Sequence, residues 1–268
     1  MAEDRPVAIV TGASSGIGAA CALRLANSGF NVAVNYAGNA DGAAATTEAC
    51  RQAGAEALRV QGDVSDDDQC RRIVERTVNE WGRIDVLINN AGRTKFVRAS
   101  DLDALDGEDF TNIAEVNVAG PYLMARFCRP HLMKSPYASI VNVSSHSGIS
   151  GIGSSIAYAA SKGALNTLTL SLARSLAPEI RVNAVCPGFV DTPWHEKSPF
   201  ASKTEEGAAA FRDRIAEKTA LKRLTTPDDV AEAACWFALG GKAITGVLLT
   251  IDGGTHLTVG SPIQSVAK

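Results

Sequence analysis

The chain of 268 residues predicts a single-domain, doubly wound α/β fold: a parallel sheet of about seven strands with helices on both faces. Three observations predict it. Short, β-branched, nearly all-apolar runs alternate with helix-length segments from residue 7 to residue 254, the pattern of strands buried on both faces and joined by helical crossovers. The 24 glycines and 6% aromatic content suit many tight strand-to-helix turns. No linker, repeat or low-complexity segment interrupts residues 1–268, and 46% hydrophobic residues are ample for one core.

The elements follow in order. VAIVTG (7–12) is the first strand, and IGAACALRLANSG after it is a helix that stops at Gly29. NVAVNY (31–36) is the second strand, a helix then runs to about Gln52, and ALRVQGDV (57–64) is the third strand. Ser65 has the chemistry of an N-cap for the next helix, with Asp68 three residues on. The acidic run Asp66-Asp67-Asp68 is therefore a helix start and not a metal site. IDVLINNAG (84–92), ASIVNVSS (138–145), IRVNAVCPG (180–188) and VLLTIDGG (247–254) complete the sheet. The rhythm breaks only at 189–220, which holds Pro193, Trp194, Pro199 and Phe200 and then a polar helical stretch. Such an insertion lies at the carboxyl ends of the strands, where ligands bind in these sheets, and is a candidate substrate lid.

Bulk properties exclude several function classes. The net charge is -3 with the signs interspersed, so there is no basic stripe for nucleic acid. No apolar run approaches the ~20 residues of a membrane span. The N-terminal MAEDRPVAIVTG carries acids and goes straight into a strand, which predicts no signal peptide and a cytoplasmic location. Six cysteines without a CxxC pair and four histidines without ligand spacing predict free thiols and no metal.

Two motifs carry chemistry. The first strand ends in Thr11-Gly12-Ala13-Ser14-Ser15-Gly16-Ile17-Gly18, and a helix begins there. Glycines let the backbone turn sharply and approach a pyrophosphate, while the helix N-terminus offers free N–H groups. The spacing Gly-x-x-x-Gly-x-Gly differs from the common dinucleotide fingerprint, but its strand–turn–helix context points to nucleotide binding. Tyr158 and Lys162, in YAASK, lie one helical turn apart. Alone, that pair reads as an exposed helix with a snorkelling lysine.

Six motifs in register change that reading. TGASSGIG (11–18), NNAG (89–92), Asn117 in EVNVAG, Ser145 in VNVSSHSG, Tyr158 with Lys162, and Pro187-Gly188 in CPGFVDTP resemble the short-chain dehydrogenase/reductase family, in particular its 3-oxoacyl reductase-like members. The resemblance runs from Val7 to Gly254. It implies a Rossmann-type fold and a hydride transfer between NAD(P)(H) and a ketone or secondary alcohol. Tyr158 is then the general acid/base, its pKa near 10 lowered by the Lys162 ammonium and the oxidised nicotinamide. Ser145 hydrogen-bonds the carbonyl oxygen, whereas Ser144 points to the other face of the strand. Lys162 also holds the nicotinamide ribose, and Asn117 faces the lysine from a helix and positions a relay water. Asp63, with Val64, takes the adenine. Asn90, Ala91 and Gly92 pass the adenosine ribose, and Pro187, Gly188, Val190 and Thr192 meet the carboxamide. His146 and His195 flank the pocket as ordinary polar lining, and Lys95 and Arg98 belong to a solvated loop. A nucleotide sensor without catalysis is the alternative from another class; it has no need of the Asn117–Ser145–Tyr158–Lys162 set.

The end of strand two bears on the cofactor. NAD-selective enzymes place a carboxylate there for the ribose 2′-OH. This chain has Asn35-Tyr36-Ala37-Gly38-Asn39, and its first acid, Asp41, lies in the next helix. NADP(H) is therefore the preferred cofactor, through neutral donors on Ser14, Ser15, Asn35 and Asn39, with NAD(H) also accepted. Phe96, Phe189, Trp194 and Phe200 suggest an apolar pocket for a small carbonyl or alcohol substrate. Relatives that dock acyl carrier protein present basic residues where this chain has Ser135-Pro136 and Pro178-Glu179, a departure that tells against a carrier-bound substrate. The apolar faces of ALNTLTLSLARSL (164–176) and the strand GVLLTI (246–251) predict a homo-oligomer, a tetramer.

Overall fold

The computed structural model describes residues 5–195, 198 and 202–257. Seven parallel strands, β1 Val7–Val10, β2 Asn31–Tyr36, β3 Ala57–Gln61, β4 Val86–Asn89, β5 Ser139–Val143, β6 Arg181–Pro187 and β7 Leu248–Ile251, form one sheet in the order β3-β2-β1-β4-β5-β6-β7. The order reverses between β1 and β4, and a crevice opens there at the carboxyl ends of the strands.

Alternation along the strands explains their apolar runs. Ala8, Val10, Val32, Val34, Val86, Ile88 and Val141 face one core; Ile9, Ala33, Leu87 and Ile140 face the other. The first core is covered by α1 (Gly16–Asn27), α2 (Ala40–Gln52) and α9 (Pro227–Leu239), through residues such as Leu25, Cys50 and Phe237. The second is covered by α3 (Asp67–Trp81), α5 (Gly120–Leu132) and α7 (Ile156–Leu176), through Ile73, Met124 and Ala173. A slip of one residue in any central strand would exchange these sets, so burial on both faces fixes the register. The edge strands are the exceptions: β3 exposes Arg59 and Gln61, and β7 is only partly buried along its length.

The start of α3 corrects one expectation. Asp66, not Ser65, is its N-cap, accepting from the Gln69 N–H. Ser65 is unavailable because its N–H and hydroxyl both donate to Asp63 Oδ1. The strands also end earlier than their apolar runs, so Thr11, Asp63, Asn90 and Ser145 all stand in the loops just beyond them. Within 189–220 the described helix is α8, Glu205–Lys218; Pro199 and Phe200 lie outside the described residues.

A further helical stretch runs from α4 (Gly107–Ala114) through a π-helical turn, Glu115–Ala119, into α5. Pro121 accounts for the π turn: it has no N–H to give and its ring crowds the carbonyl four residues back, that of Asn117. The turn carries Asn117 fully inside.

In the glycine-rich turn, Gly18 serves packing inside the protein. A Cβ there would stand 2.4 Å from Asn90 Nδ2 and 2.5 Å from the Gly12 carbonyl. Gly18→Ala is expected to lower unfolding free energy by about 1–3 kcal/mol, the usual cost of overpacking. Urea unfolding of the two proteins checks this; an unchanged midpoint would refute it.

Candidate active site

The crevice is a cleft of ≈ 1650 Å³. Among the described residues, every one expected at the site lines it except Gly18, Tyr36 and Asn117. Tyr36 turns away and packs on the core beneath α1 and α2.

The N-terminus of α1 opens into the middle of the cleft. Ser15, in extended conformation, makes no side-chain cap there, whereas α2, α3, α4, α7, α8 and α9 are each capped by an Asn, Asp, Ser or Thr side chain. The first amides of α1, with no acid in that turn, suit the diphosphate of a dinucleotide. The loop around them is held by asparagines. Asn90 Nδ2 donates to the carbonyls of Thr11 and Gly12 at 3.0 and 2.9 Å.

Asn35 requires a correction. It is buried; its Nδ2 donates to Val60 and Gly62 carbonyls at 3.1 and 3.0 Å, and its Oδ1 accepts from Gly12 N. Its amide hydrogens are therefore engaged by β3 and cannot serve a ribose phosphate. An aspartate at this position would set a carboxylate against two carbonyl oxygens, so it is no simple switch toward NADH. Ala37, Gly38 and Asn39 line the cleft beyond it.

At the other end, α7 brings Tyr158 and Lys162 against the end of β5. Ser155 caps α7 by accepting from Tyr158 N at 3.1 Å. Lys162 is 4% exposed, and its Nζ donates to the Val143 carbonyl at 2.9 Å and lies 5.6 Å from the Tyr158 ring centre. Burial holds the lysine down at about 8. Burial also pushes the Tyr158 phenol up to about 12, and the nearby Ser145 hydroxyl offsets this only in part. The expected lowering of the Tyr158 pKa rests on Lys162 together with the oxidised nicotinamide; in the protein alone, burial raises it. Ser144, as expected, turns away from Ser145's side, to the Lys162 carbonyl and Asn166.

Asn117 is held by its side chain. Its Oδ1 accepts from Arg93 N at 2.8 Å, and its Nδ2 donates to the Arg93 carbonyl and Ser161 Oγ, both at 2.9 Å. Ser161 in turn donates to the Tyr158 carbonyl. The Asn117 side-chain amide is a brace between a loop and α7, while its backbone carbonyl receives no N–H from Pro121.

The walls near Tyr158 are aromatic. Trp194 lies 6.1 Å from the Tyr158 ring and 6.5 Å from Phe96, and Phe189 stacks on His195 at 4.1 Å. Burial lowers the His195 pKa, which keeps that ring neutral at pH 7. His146 lines the cleft, 6.2 Å from His256. Lys95 pairs with Asp109 on the surface, in keeping with a solvated loop. Sequence reasoning passed over Arg93, which lines the cleft and reaches Asp63. The available signal was a guanidinium directly after a glycine turn at the ligand-binding end of a strand.

Known proteins bear on this geometry. The family profile described as enoyl-(acyl carrier protein) reductase matches residues 12–256. A short-chain dehydrogenase/reductase structure from Burkholderia xenovorans superposes with a TM-score of 0.86 at 42% identity, over 95% of this chain and 99% of that one. The chain belongs to the short-chain dehydrogenase/reductase family. It is therefore an NAD(P)-dependent oxidoreductase acting on CH–OH and ketone groups. Among similar members, a protein named ketoacyl reductase 2 of the granaticin polyketide synthase, from Streptomyces violaceoruber, is 41% identical over 96% of this chain and 98% of its own length. A 3-oxoacyl-[acyl-carrier-protein] reductase of Staphylococcus epidermidis is 33% identical over 93% and 98%.

The buried lysine makes this oxidoreductase's stability depend on pH. Its folded value of about 8 lies below the ordinary 10.5. The unfolded chain thus binds this proton more tightly, and the penalty on folding is full below pH 8 and fades as pH rises from 8 to 10.5. The difference, 10.5 minus about 8, corresponds to about 3 kcal/mol, from which the lost Val143 hydrogen bond subtracts about 1. Lys162→Met is expected to raise unfolding free energy at pH 7 by about 1–2 kcal/mol, and to lose most of that gain by pH 10. Urea curves at both pH values check it. A variant less stable than wild type at pH 7 would refute it.

Proposed function

We propose that this enzyme is a carbonyl reductase that prefers NADP(H) and uses Tyr158 as its general acid. The observation that carries the reading is the convergence of Tyr158, Ser145 and Lys162 at one end of the cleft whose middle holds the uncapped amides of α1. A phenol held near 12 is fully protonated at pH 7, the form that gives a proton to a carbonyl oxygen. Ser145 donates a hydrogen bond to the same oxygen. Lys162 keeps two of its three N–H donors for the ribose of the nicotinamide half, and its charge favours the phenolate left behind. Asn117 is a positioning residue that sets Tyr158 through Ser161. The cofactor supplies the hydride.

Support for NADP(H) comes from the end of β2, where the cleft is lined by Asn35, Ala37, Gly38 and Asn39 and by no carboxylate. The Asn39 Oδ1 caps α2, which leaves its N–H donors toward the cleft side. Neutral donors alone give a moderate preference, on the order of 1–3 kcal/mol in kcat/KM. NAD(H) remains a weaker alternative cofactor.

The aromatic walls support a small ketone or secondary alcohol as substrate, with 189–220 as its lid. The names of the relatives favour a second reading, a 3-oxoacyl thioester on acyl carrier protein. The absence of cations at Ser135-Pro136 and Pro178-Glu179 weighs against it. Partly exposed β7, with exposed Tyr122, Ile156 and Leu170, supports a homotetramer. Six buried cysteines without disulfides suit the reducing cytoplasm.

Tyr158→Phe is expected to remove nearly all turnover of small ketones and 3-oxoacyl thioesters while NADPH still binds. A variant that keeps more than about a tenth of wild-type kcat, a loss under ~1.4 kcal/mol, would remove Tyr158 as the acid. In the wild type, kcat/KM for reduction is expected to fall above about pH 8 as Lys162 loses its proton, and to be higher with NADPH than with NADH. Steady-state kinetics with both cofactors across pH checks both points, and faster reduction with NADH would overturn the preference.

A further inference from the structure

Three arginines line the cleft. Arg212 and Arg214 belong to α8, whereas Arg93 stands at the β3 end, beside Asp63. The chemistry of the cleft decides what that end receives. The reacting ring of a dinucleotide must meet Tyr158 and Ser145, beyond β5. The diphosphate suits the α1 amides. The purine nucleoside then extends the other way, over the ends of β2 and β3, where Gly62, Asp63 and Val64 form the wall.

Arg93 is built to serve that half. Its backbone is fixed at both polar atoms by one buried amide, that of Asn117. Its side chain is nevertheless 45% exposed, and its guanidinium lies 3.6 Å from Asp63 Oδ2. Asp63 Oδ1 is held by Ser65 N at 3.0 Å and Ser65 Oγ at 2.7 Å, so the carboxylate is rigid and Oδ2 is the atom turned to Arg93. A pair this long and this exposed contributes about 0–1 kcal/mol to folding, too little for it to be a strut. What it does is keep a planar cation at the cleft instead of in bulk water. A guanidinium is weakly hydrated and stacks on flat π systems, which a lysine ammonium does not do.

We infer that Arg93 is a purine-recognition residue, stacking its guanidinium on the adenine base while Asp63 keeps the cation at that end of the cleft. This rests on the dinucleotide reading of the cleft.

Calorimetric titration of the full chain with ADP-ribose, and separately with nicotinamide mononucleotide, tests it without turnover. Arg93→Met, which keeps length and apolar bulk, is expected to weaken ADP-ribose by about 3- to 30-fold and to leave nicotinamide mononucleotide unchanged. Arg93→Lys, which keeps charge without the plane, is expected to lose most of the same affinity. Wild-type affinity for ADP-ribose in either variant would overturn the inference. Equal weakening of both ligands would also overturn it, because the effect would then pass through the Asn117 brace. Wild-type protein that binds no ADP-ribose would overturn the dinucleotide reading itself, a result distinct from the others.

Discussion

The hydrogen bond from Lys162 to the Val143 carbonyl is the contact on which the site depends. An ammonium taken out of water costs several kcal/mol unless it is partnered, so it can stay inside only where an oxygen is presented to it. The carbonyl at the last residue of β5 is that oxygen. Satisfying it ties α7 to the end of the strand, and Tyr158, one turn earlier, is then set beside Ser145, two residues past Val143. Gly148 allows the fit, since a Cβ there would stand 2.5 Å from the Lys162 backbone carbon.

Buried amides do the equivalent work elsewhere. Asn35 joins the glycine turn to β3, Asn90 joins that turn to the end of β4, and Asn117 joins Arg93 to α7. Each such bond contributes only about 1 kcal/mol net, yet losing one leaves buried partners unmatched, which costs more. The loops around the cleft are therefore held by few side chains with little redundancy, and a ligand meets a surface already in shape.

Most of this was legible in the sequence for a physical reason. Strands buried on both faces write themselves as apolar runs, and glycine turns and the Tyr158–Lys162 spacing are local. What was not legible depends on partners far along the chain. Nothing near Asn35 announces that its hydrogens meet the carbonyls of Val60 and Gly62. Asn117 reads as helical, but the π turn that buries it is caused by Pro121 and completed by Arg93 and Ser161. Ser65 and Asp66 are both good caps, and the choice between them is made by Asp63. The pKa of Tyr158 follows from burial, which spacing does not report.

The strand order carries a consequence for biosynthesis. β1, β2 and β3 are neighbours and are all complete once residue 61 has been made, whereas β1 meets β4 only after residue 89. Tyr158, β6 and β7 follow later still. As the chain leaves the ribosome, the edge β3-β2-β1 can pair first and the edge with Tyr158 beside it last. Until α7 and α9 are made, however, each face of that early sheet lacks one of its covering helices, so the cleft takes shape only when the C-terminal third of the chain is complete.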